Sequence, residues 1–459
     1  MENGQFEHLL RRIRFEDAEI DSLPLSELVA GIPPLTGDMV GSGGHVLLRL
    51  DVDVPTVDGK VTDPTRLETG AETIKFCMSK GSKLVIFGHI GRDSSESLRP
   101  VAESLSQLLR TDVQFLPDWF DESALDVTCQ AKSAIAAMTP GSVVLLENCR
   151  KYSLERDLWK ITEGELSLVS HKLGVAAAAI RSIAHVEINE SIAASNADFS
   201  SSVVPLEMDS VALGFFIRNE LAQHAVQALD SHLVVISGLK VNKLDDLESI
   251  VRRKPLRTLV SAGSLAMALR KAVAFERGEQ FSIGRAESDD SNKAYIPPKR
   301  IDQARRILEV CRASETEVIL PVDFVLDDGS VSELIPDSRV QLDIGPKTVE
   351  LLRSVFQQYA KDSANSASPF AMFTNGVFGK FEDPRYELGT KMYIEILQSI
   401  SQDVRIYVGG GEGRLALERF GNISDVQHAF TAGGTILKCM GGKHVAYLKS
   451  LWLHKSLSG

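Results

Sequence analysis

Arg49-Leu50-Asp51-Val52-Asp53-Val54-Pro55 decides how this chain reads. It overlaps the end of His45–Leu50, an apolar run short enough for a buried strand, and delivers charge where that strand stops. Asp58-Gly59-Lys60 and Asp63-Pro64-Thr65-Arg66 follow directly. In an open parallel sheet the ligand crevice lies outside the carboxyl ends of the strands, so residues emerging there are placed to meet a substrate. A solvated turn is the plainer reading of the same residues taken alone. Two more apolar runs end in the same way: Lys83–Phe87 in Gly88-His89-Ile90-Gly91-Arg92, and Ser142–Leu146 in Glu147-Asn148-Cys149-Arg150. Three strand ends that each supply Arg or His predict one cationic cleft.

Outward from these ends, short apolar runs alternate with segments of helical period, the rhythm of βαβ units and a parallel sheet. His185–Ile188 completes the first set of strands, with helices at Arg66–Ser79 and Pro100–Leu109. The pattern then repeats: strands at Leu233–Ile236, Thr258–Val260, Glu317–Leu320, Phe370–Phe373 and Arg405–Val408, and helices near Leu244–Arg252, Ile301–Cys311, Lys347–Ala360 and Leu415–Phe420. Val211–Leu229 reads as one long helix, either a rigid connector between two α/β lobes or a surface helix of the second. Periodicity does not separate these. The expected organisation is a partly ordered N-terminal extension (1–40), an N-lobe (41–210), an interdomain helix (211–230), a C-lobe (231–440) and a C-terminal segment (441–459) returning to the N-lobe. Asp289–Pro298 reads as a surface loop.

The chain has 459 residues, 44% of them hydrophobic, with 50 Lys+Arg against 62 Asp+Glu for a net charge of −12. That length suits two or three domains, and the acidic balance argues against a nucleic-acid binder while leaving room for local cationic sites. Cys77, Cys129, Cys149, Cys311 and Cys439 are scattered and without metal-type spacing, as expected for reduced thiols in a cytoplasmic protein. No run approaches the roughly 20 apolar residues of a membrane span.

The second half carries glycines at strand-to-helix turns, where the backbone can approach a phosphate closely. Ser237-Gly238-Leu239-Lys240-Val241-Asn242-Lys243 is the first such turn. Asp343-Ile344-Gly345-Pro346-Lys347, Thr374-Asn375-Gly376 with Gly379 and Glu382, Gly409-Gly410-Gly411-Glu412, and Thr431-Ala432-Gly433-Gly434-Thr435 follow. Any one of them is equally a tight turn. Gly411-Glu412-Gly413-Arg414-Leu415-Ala416 fits a dinucleotide fingerprint, but fewer than 50 residues follow it, too few for the βαβαβ unit that holds a dinucleotide. The Gly-x-x-x-x-Gly-Lys phosphate loop, the HExxH pair and the Gly-x-Ser-x-Gly elbow are absent.

Taken in order, these motifs resemble phosphoglycerate kinase from about His45 to Leu448. That family's Arg-Val-Asp-Phe-Asn-Val-Pro stands here as residues 49–55, its Asp-Asp-Thr-Arg as residues 63–66, and its Ser-His-Leu-Gly-Arg as residues 88–92. Leu98-Arg99-Pro100-Val101-Ala102-Glu103, Glu147-Asn148-Cys149-Arg150, Leu320-Pro321-Val322-Asp323, Asp343–Thr348 and Gly409–Gly411 continue the likeness. The resemblance implies two Rossmann-like lobes with parallel sheets, joined by a long helix and hinge. It implies phosphoryl transfer between ATP and the carboxylate of 3-phosphoglycerate, with ADP and 1,3-bisphosphoglycerate on the other side. Asp51, Asp53, His89, Arg92 and Arg150 would then hold the phosphoglycerate. Lys240, Lys243, Lys347, Asn375, Glu382, Gly409, Gly410, Gly411 and Glu412 would hold the nucleotide, Glu412 would meet Mg2+, and Arg66, Lys243, Gly411 and Gly434 would serve the transfer itself. A cytoplasmic monomer without nucleic-acid or membrane partners is expected.

The departures bear on activity. The family's Asn is Asp53, its magnesium-contacting Asp is Glu412, and the Pro after Asn-Gly is Val377. One residue is missing between Lys240 and Lys243 unless Leu244 takes the second lysine's place. The family's Thr-Ala-His-Arg reads Ala194-Ser195-Asn196-Ala197, which removes a phosphate-binding Arg. Two readings follow: a phosphoglycerate kinase of weakened activity, and a non-catalytic relative that binds nucleotide or a protein partner.

Overall fold

The computed structural model describes residues 3–41, 43–91, 95–288, 290–291 and 295–455. Arg92, an expected substrate ligand, lies outside them, as do 289 and 292–294 of the loop expected at Asp289–Pro298. Pro298 itself opens the helix Pro298–Ala313.

The chain forms two compact units, Met1–Gln223 with His444–Gly459, and His224–Lys443. The first is built on a six-stranded parallel sheet in the order Ser210–Leu213, Val186–Glu190, His45–Leu50, Lys83–Phe87, Val143–Leu146, Val113–Leu116. Its strands are apolar along nearly their whole length because helices cover both faces. The core runs through Val46, Leu48, Leu84, Ile86, Val143, Leu145 and Ile188, against Ile74, Val101 and Leu105 of the covering helices. The chain winds outward from His45–Leu50 in both directions. The switch point therefore lies beside that strand, and Asp51 and Asp53 leave the sheet there.

The second unit has the strand order Glu317–Ile319, Thr258–Ser261, Leu233–Ile236, Phe370–Asn375, Val404–Gly409, His428–Phe430, also parallel throughout. In chain order this is 3-2-1-4-5-6, the doubly wound arrangement, whose switch point falls between Leu233–Ile236 and Phe370–Asn375. A small antiparallel sheet of Val331–Ser332, Phe324–Leu326 and Gln341–Ile344 accompanies it. Asp323 explains why Leu320-Pro-Val-Asp is useful structurally. Its Oδ1 accepts from the Thr348 backbone N–H at 2.8 Å and the Thr348 hydroxyl at 2.7 Å, and its Oδ2 from the Lys347 N–H at 3.0 Å. A residue more than twenty positions upstream thus caps the helix Pro346–Ala364. Asp323→Ala strands these donors and is expected to cost about 2–3 kcal/mol, read as a lowered urea midpoint at unchanged slope.

Three expectations are corrected. Val211–Leu229 is not one helix. Ser210–Leu213 pairs with Val186–Glu190 as an edge strand, and the helix follows as Phe215–Asn219, a π-helical stretch Glu220–Ala225 and Val226–Ala228. The helix expected over Arg66–Ser79 breaks into Thr65–Thr69 and Ala71–Ser79 at Gly70, where an added Cβ would lie 2.2 Å from Leu50 Cδ1. The N-terminal stretch, expected as a partly ordered extension, is packed into the first unit over its described residues 3–40. Helix Asn3–Arg14 buries Phe6, Leu9, Leu10 and Ile13 against Leu166–Arg181 and the C-terminal helix Ala446–His454. Buried Lys449 of that C-terminal helix donates to the Phe15 carbonyl at 3.0 Å and to Asp21 at 2.6 Å. Among the described residues, no helix is long and apolar enough to cross a membrane.

Candidate functional site

Each unit carries a half-site at its switch point. In the first, Arg66 sits in the first turn of Thr65–Thr69, which Asp63 starts by accepting from the Thr65 N–H at 2.9 Å and hydroxyl at 2.6 Å. Its Nη1 is 3.4 Å from Asp51 Oδ1 and 3.7 Å from Asp53 Oδ2. Burial raises the Asp51 carboxyl above its ordinary range, against the pull of Arg66 and Arg49. Asp53 also accepts the Gly91 N–H at 2.9 Å, tying the His89 loop to the first strand.

Behind this edge the expected cationic cleft is a buried, internally paired cluster. Arg49 is fully buried, and its Nε, Nη1 and Nη2 donate to Ser200 Oγ (2.9 Å), the Leu50 carbonyl (2.7 Å) and His89 Nδ1 (2.7 Å). A guanidinium only donates, so His89 accepts at Nδ1 and carries its proton on Nε2. Burial, then Arg49, Arg150 and Arg66, hold its pKa well below the usual histidine range, so the ring is neutral. Arg150 donates to the Gly91 carbonyl and lies over the Trp159 ring, 5.3 Å from its centroid. The neighbouring negative charges of Asp198, Glu155 and Asp53 partly offset the cost of its burial.

Glu155 accepts from the Ser200 N–H at 2.9 Å and hydroxyl at 2.6 Å, and Asp198 accepts from Trp159 Nε1 at 2.8 Å. Burial and then Asp198 push Glu155 up to about 7. His89, Glu155 and Asp198 present ligand atoms within 4.8 Å of one another. The chemistry is nevertheless that of a hydrogen-bonded acid cluster, because Arg49 already occupies the bare imidazole nitrogen and two guanidiniums supply the positive charge. Glu147 and Asn148 are structural: Glu147 takes the Leu98 N–H, the Ser97 hydroxyl and Lys151, while Asn148 donates to the Ile90 and Glu96 carbonyls.

In the second unit, Asn375 ends the strand Phe370–Asn375 and the glycines crowd around it. A Cβ at Gly433 would stand 2.2 Å from Asn375 Nδ2, and one at Gly409 2.9 Å, so neither site admits a side chain without displacing Asn375. Lys243 Nζ bridges the two strands of the switch point, donating to the Ser237 carbonyl at 2.9 Å and Asn375 Oδ1 at 2.8 Å. Burial lowers its pKa, and nearby Glu412 opposes that shift. Gly410 has φ +91°, and open space lies over Gly411 and Gly434 in the first turns of Gly411–Phe420 and Gly433–Met440. The N–H groups of a helix's first turn are the ordinary donors for phosphate oxygens. Lys240, Glu412 and Glu382 are exposed. Lys347 is also exposed, in an ion pair with Glu333.

A sequence profile of phosphoglycerate kinase matches residues 37–443 and so spans both half-sites. The chain belongs to the phosphoglycerate kinase family. Similar relatives include the phosphoglycerate kinase of Rhodospirillum centenum, 30% identical over 434 residues (90% of this chain, 98% of the relative). That of Thermosipho africanus is 28% identical over 428 residues (89% and 95%). Among solved structures, phosphoglycerate kinase from Pyrococcus horikoshii has a TM-score of 0.72 at 22% identity, covering 93% of this chain and 100% of that one. The Coxiella burnetii enzyme has a TM-score of 0.64 at 23% identity, covering 91% and 99%. These two establish a shared fold.

Against the phosphoglycerate kinase motifs, the residues that sequence reasoning missed are the acids. Asp198 follows Ala197 directly, Glu155 lies five residues beyond Arg150, and Glu187 is fully buried with neither carboxylate oxygen hydrogen-bonded. Nothing in their local sequence marks them. Glu155 and Glu187, both raised chiefly by burial, bind a proton more tightly in the folded protein than in the unfolded chain. Their contribution to stability is full below about pH 4.5 and is lost as pH rises through the folded value, about 7 for Glu155. Melting temperature is therefore expected to fall between pH 5 and 8, and Glu155→Gln to flatten part of that slope.

Proposed function

We propose that the protein moves a phosphoryl group reversibly between ATP and the carboxylate of a three-carbon acid, as phosphoglycerate kinases do with 3-phosphoglycerate, and that it binds the phosphorylated acid weakly. The observation that carries this reading is the nucleotide half-site: Lys243 and the close-packed glycines Gly409, Gly410 and Gly433 surround Asn375 at the switch point of a 3-2-1-4-5-6 sheet, next to the open first turns at Gly411 and Gly434. Such a transfer needs little covalent work from the protein beyond in-line positioning, cations on the equatorial oxygens and exclusion of water. Arg66, 32% exposed and loosely held by Asp51, would stabilise the transferring group. Lys243 would reach it only by releasing Ser237 and Asn375, and otherwise positions the loop.

Glu412 fits magnesium as one hard-oxygen ligand on an exposed helix turn, since that ion takes one or two carboxylates together with phosphates and water. When bound, the ion would neutralise the nucleotide's phosphate oxygens. The second reading, a non-catalytic nucleotide binder, draws on the internal pairing of Arg49 and Arg150. A coupled assay of ATP formation from 1,3-bisphosphoglycerate, alongside calorimetric titration with ADP with and without magnesium, separates them. Turnover with binding is expected. Binding without turnover at high enzyme and substrate would leave the second reading, and no binding at all would remove both.

A further inference from the structure

We propose that Asp343 is a positioning residue for the nucleotide: its buried carboxylate pins the segment that leaves Asn375, and through it the half-site built around that residue. The inference rests on the nucleotide reading above and adds a residue outside the half-site itself. Asp343 is the third residue of the strand Gln341–Ile344 and is fully buried. Its Oδ1 accepts from the Ile344 N–H at 2.8 Å and its Oδ2 from the Gly389 N–H at 2.7 Å. Burial raises its carboxyl to about 7, and those two N–H groups oppose the shift. Among the described residues, no charged side chain takes part. Holding an acid in the interior without a counter-ion is unfavourable. What a carboxylate offers over a neutral amide is two oxygens that both accept. Here one is used within the strand, and the other on the first turn of the helix Leu388–Ile400.

The chain between Gly376 and Gly389 gathers on this one group. A Cβ at Gly379 would lie 2.3 Å from Asp343 Oδ1, and one at Gly389 2.2 Å from it, so backbone packs directly against the carboxylate from both ends of the segment. The Lys380 N–H donates to the carbonyl of Leu342, next to Asp343, at 2.9 Å, and the Gly379 N–H to the buried Thr390 hydroxyl at 3.2 Å. Phe378 and Phe381 turn inward, while Lys380 and Glu382 are exposed. The near end is fixed as tightly. Gly376 has φ +101°, and a Cβ there would stand 2.2 Å from the Ser237 carbonyl, the same carbonyl that accepts from Lys243. Only Gly376, Val377 and Phe378 separate Asn375 from Gly379. A shift of the segment off Asp343 therefore reaches Asn375, and Glu382 moves with it. Such a change acts on where the nucleotide is held, and less on the charge that develops during transfer.

The test uses the full chain with magnesium. ADP affinity is read by titration calorimetry, and KM for ADP and kcat in the ATP-forming direction. Asp343→Asn keeps one accepting oxygen and turns an amide NH2 toward the other N–H. Gly389→Ala pushes a methyl group at Oδ1 from the opposite side. Each is expected to weaken ADP binding and raise its KM about tenfold with kcat within about threefold, at temperatures well below the melting midpoint of either variant. The double variant is expected to bind no more weakly than the weaker single variant, because both break the same contact. Gly389→Ala stands in for Asp343→Asn should that variant fail to fold. ADP affinity unchanged in a folded variant overturns the inference and leaves the nucleotide reading standing. Losses that multiply in the double variant, or a fall in kcat at unchanged KM, overturn it equally. No ADP binding in the natural protein overturns both.

Discussion

Replacing Arg66 with alanine is expected to lower kcat roughly 10²–10³-fold while changing either Michaelis constant only a few-fold. The guanidinium stands 3.4 Å from Asp51 Oδ1, longer than a strong charge-assisted bond, and is 32% exposed. It is therefore oriented by Asp51 without being spent on it, unlike Arg49, whose three nitrogens are all engaged. A cation held in this way interacts most strongly with charge that develops during transfer, which is the condition for an effect on kcat rather than on binding. Steady-state kinetics in both substrates read the effect. A thermal melt controls for stability, and it should move little because, among the described residues, the side chain of Arg66 pairs only with Asp51 and the partly exposed Asp53. A large rise in a Michaelis constant at unchanged kcat would assign Arg66 to ground-state binding. Arg66→Lys should recover only part of the loss, since an ammonium lacks the planar fork that meets two phosphate oxygens at once.

What could be read ahead of the structure follows from how locally each feature is specified. Buried parallel strands are continuous apolar runs, so His45–Leu50, Lys83–Phe87 and Leu233–Ile236 were legible, as was the two-lobed α/β architecture. Val211-Ala212-Leu213 is too short for periodicity to tell strand from helix, and only its pairing with Val186–Glu190 settles it. The edge strands Val113–Leu116 and His428–Phe430 have an interrupted or very short apolar run and escape the same reading. The break at Gly70 was invisible because one glycine within a helical pattern is tolerated, and what excludes a side chain there, Leu50, lies on another element.

The site divides in the same way. Residues at strand ends and glycine turns are marked by position, and some of the nucleotide half-site come together: Asn375 touches Lys243 and closely approaches Gly409 and Gly433, whereas Lys347 pairs with Glu333 instead. Charge compensation is not marked by position. Glu155 meets Ser200 across 45 residues and Trp159 meets Asp198 across 39, so a count of Arg and His at strand ends does not include the acids placed beside them. The sequence did show what was missing, the Arg expected at Ala197. It did not show that two carboxylates occupy the surroundings of Arg150.

Asp53→Asn is expected to tighten 3-phosphoglycerate binding roughly ten- to hundredfold, measured by titration calorimetry. A unit charge about 6 Å from the substrate, at an effective dielectric near 20, repels another by on the order of 3 kcal/mol. The Asp53 side chain is 39% exposed, so solvent screening reduces that figure. Asparagine keeps an oxygen for the Gly91 N–H and frees Arg66 from a competing carboxylate 3.7 Å away. Adding Ala197→Arg supplies a charge-assisted hydrogen bond of about 1.5–3 kcal/mol, which would bring the double variant to about a thousandfold, each 1.4 kcal/mol being tenfold. Ala197 is buried beside Asp198, and a guanidinium introduced there has a carboxylate within the chain to pair with. The gain from the second change should accordingly appear in full only when Asp198 is also neutralised, which makes the two positions non-additive. Micromolar affinity in the natural protein would sink the argument, as would an absent gain in a folded Asp53→Asn, Ala197→Arg, Asp198→Asn variant. Either result would mean that Arg150 reaches the phosphate in spite of its neighbours.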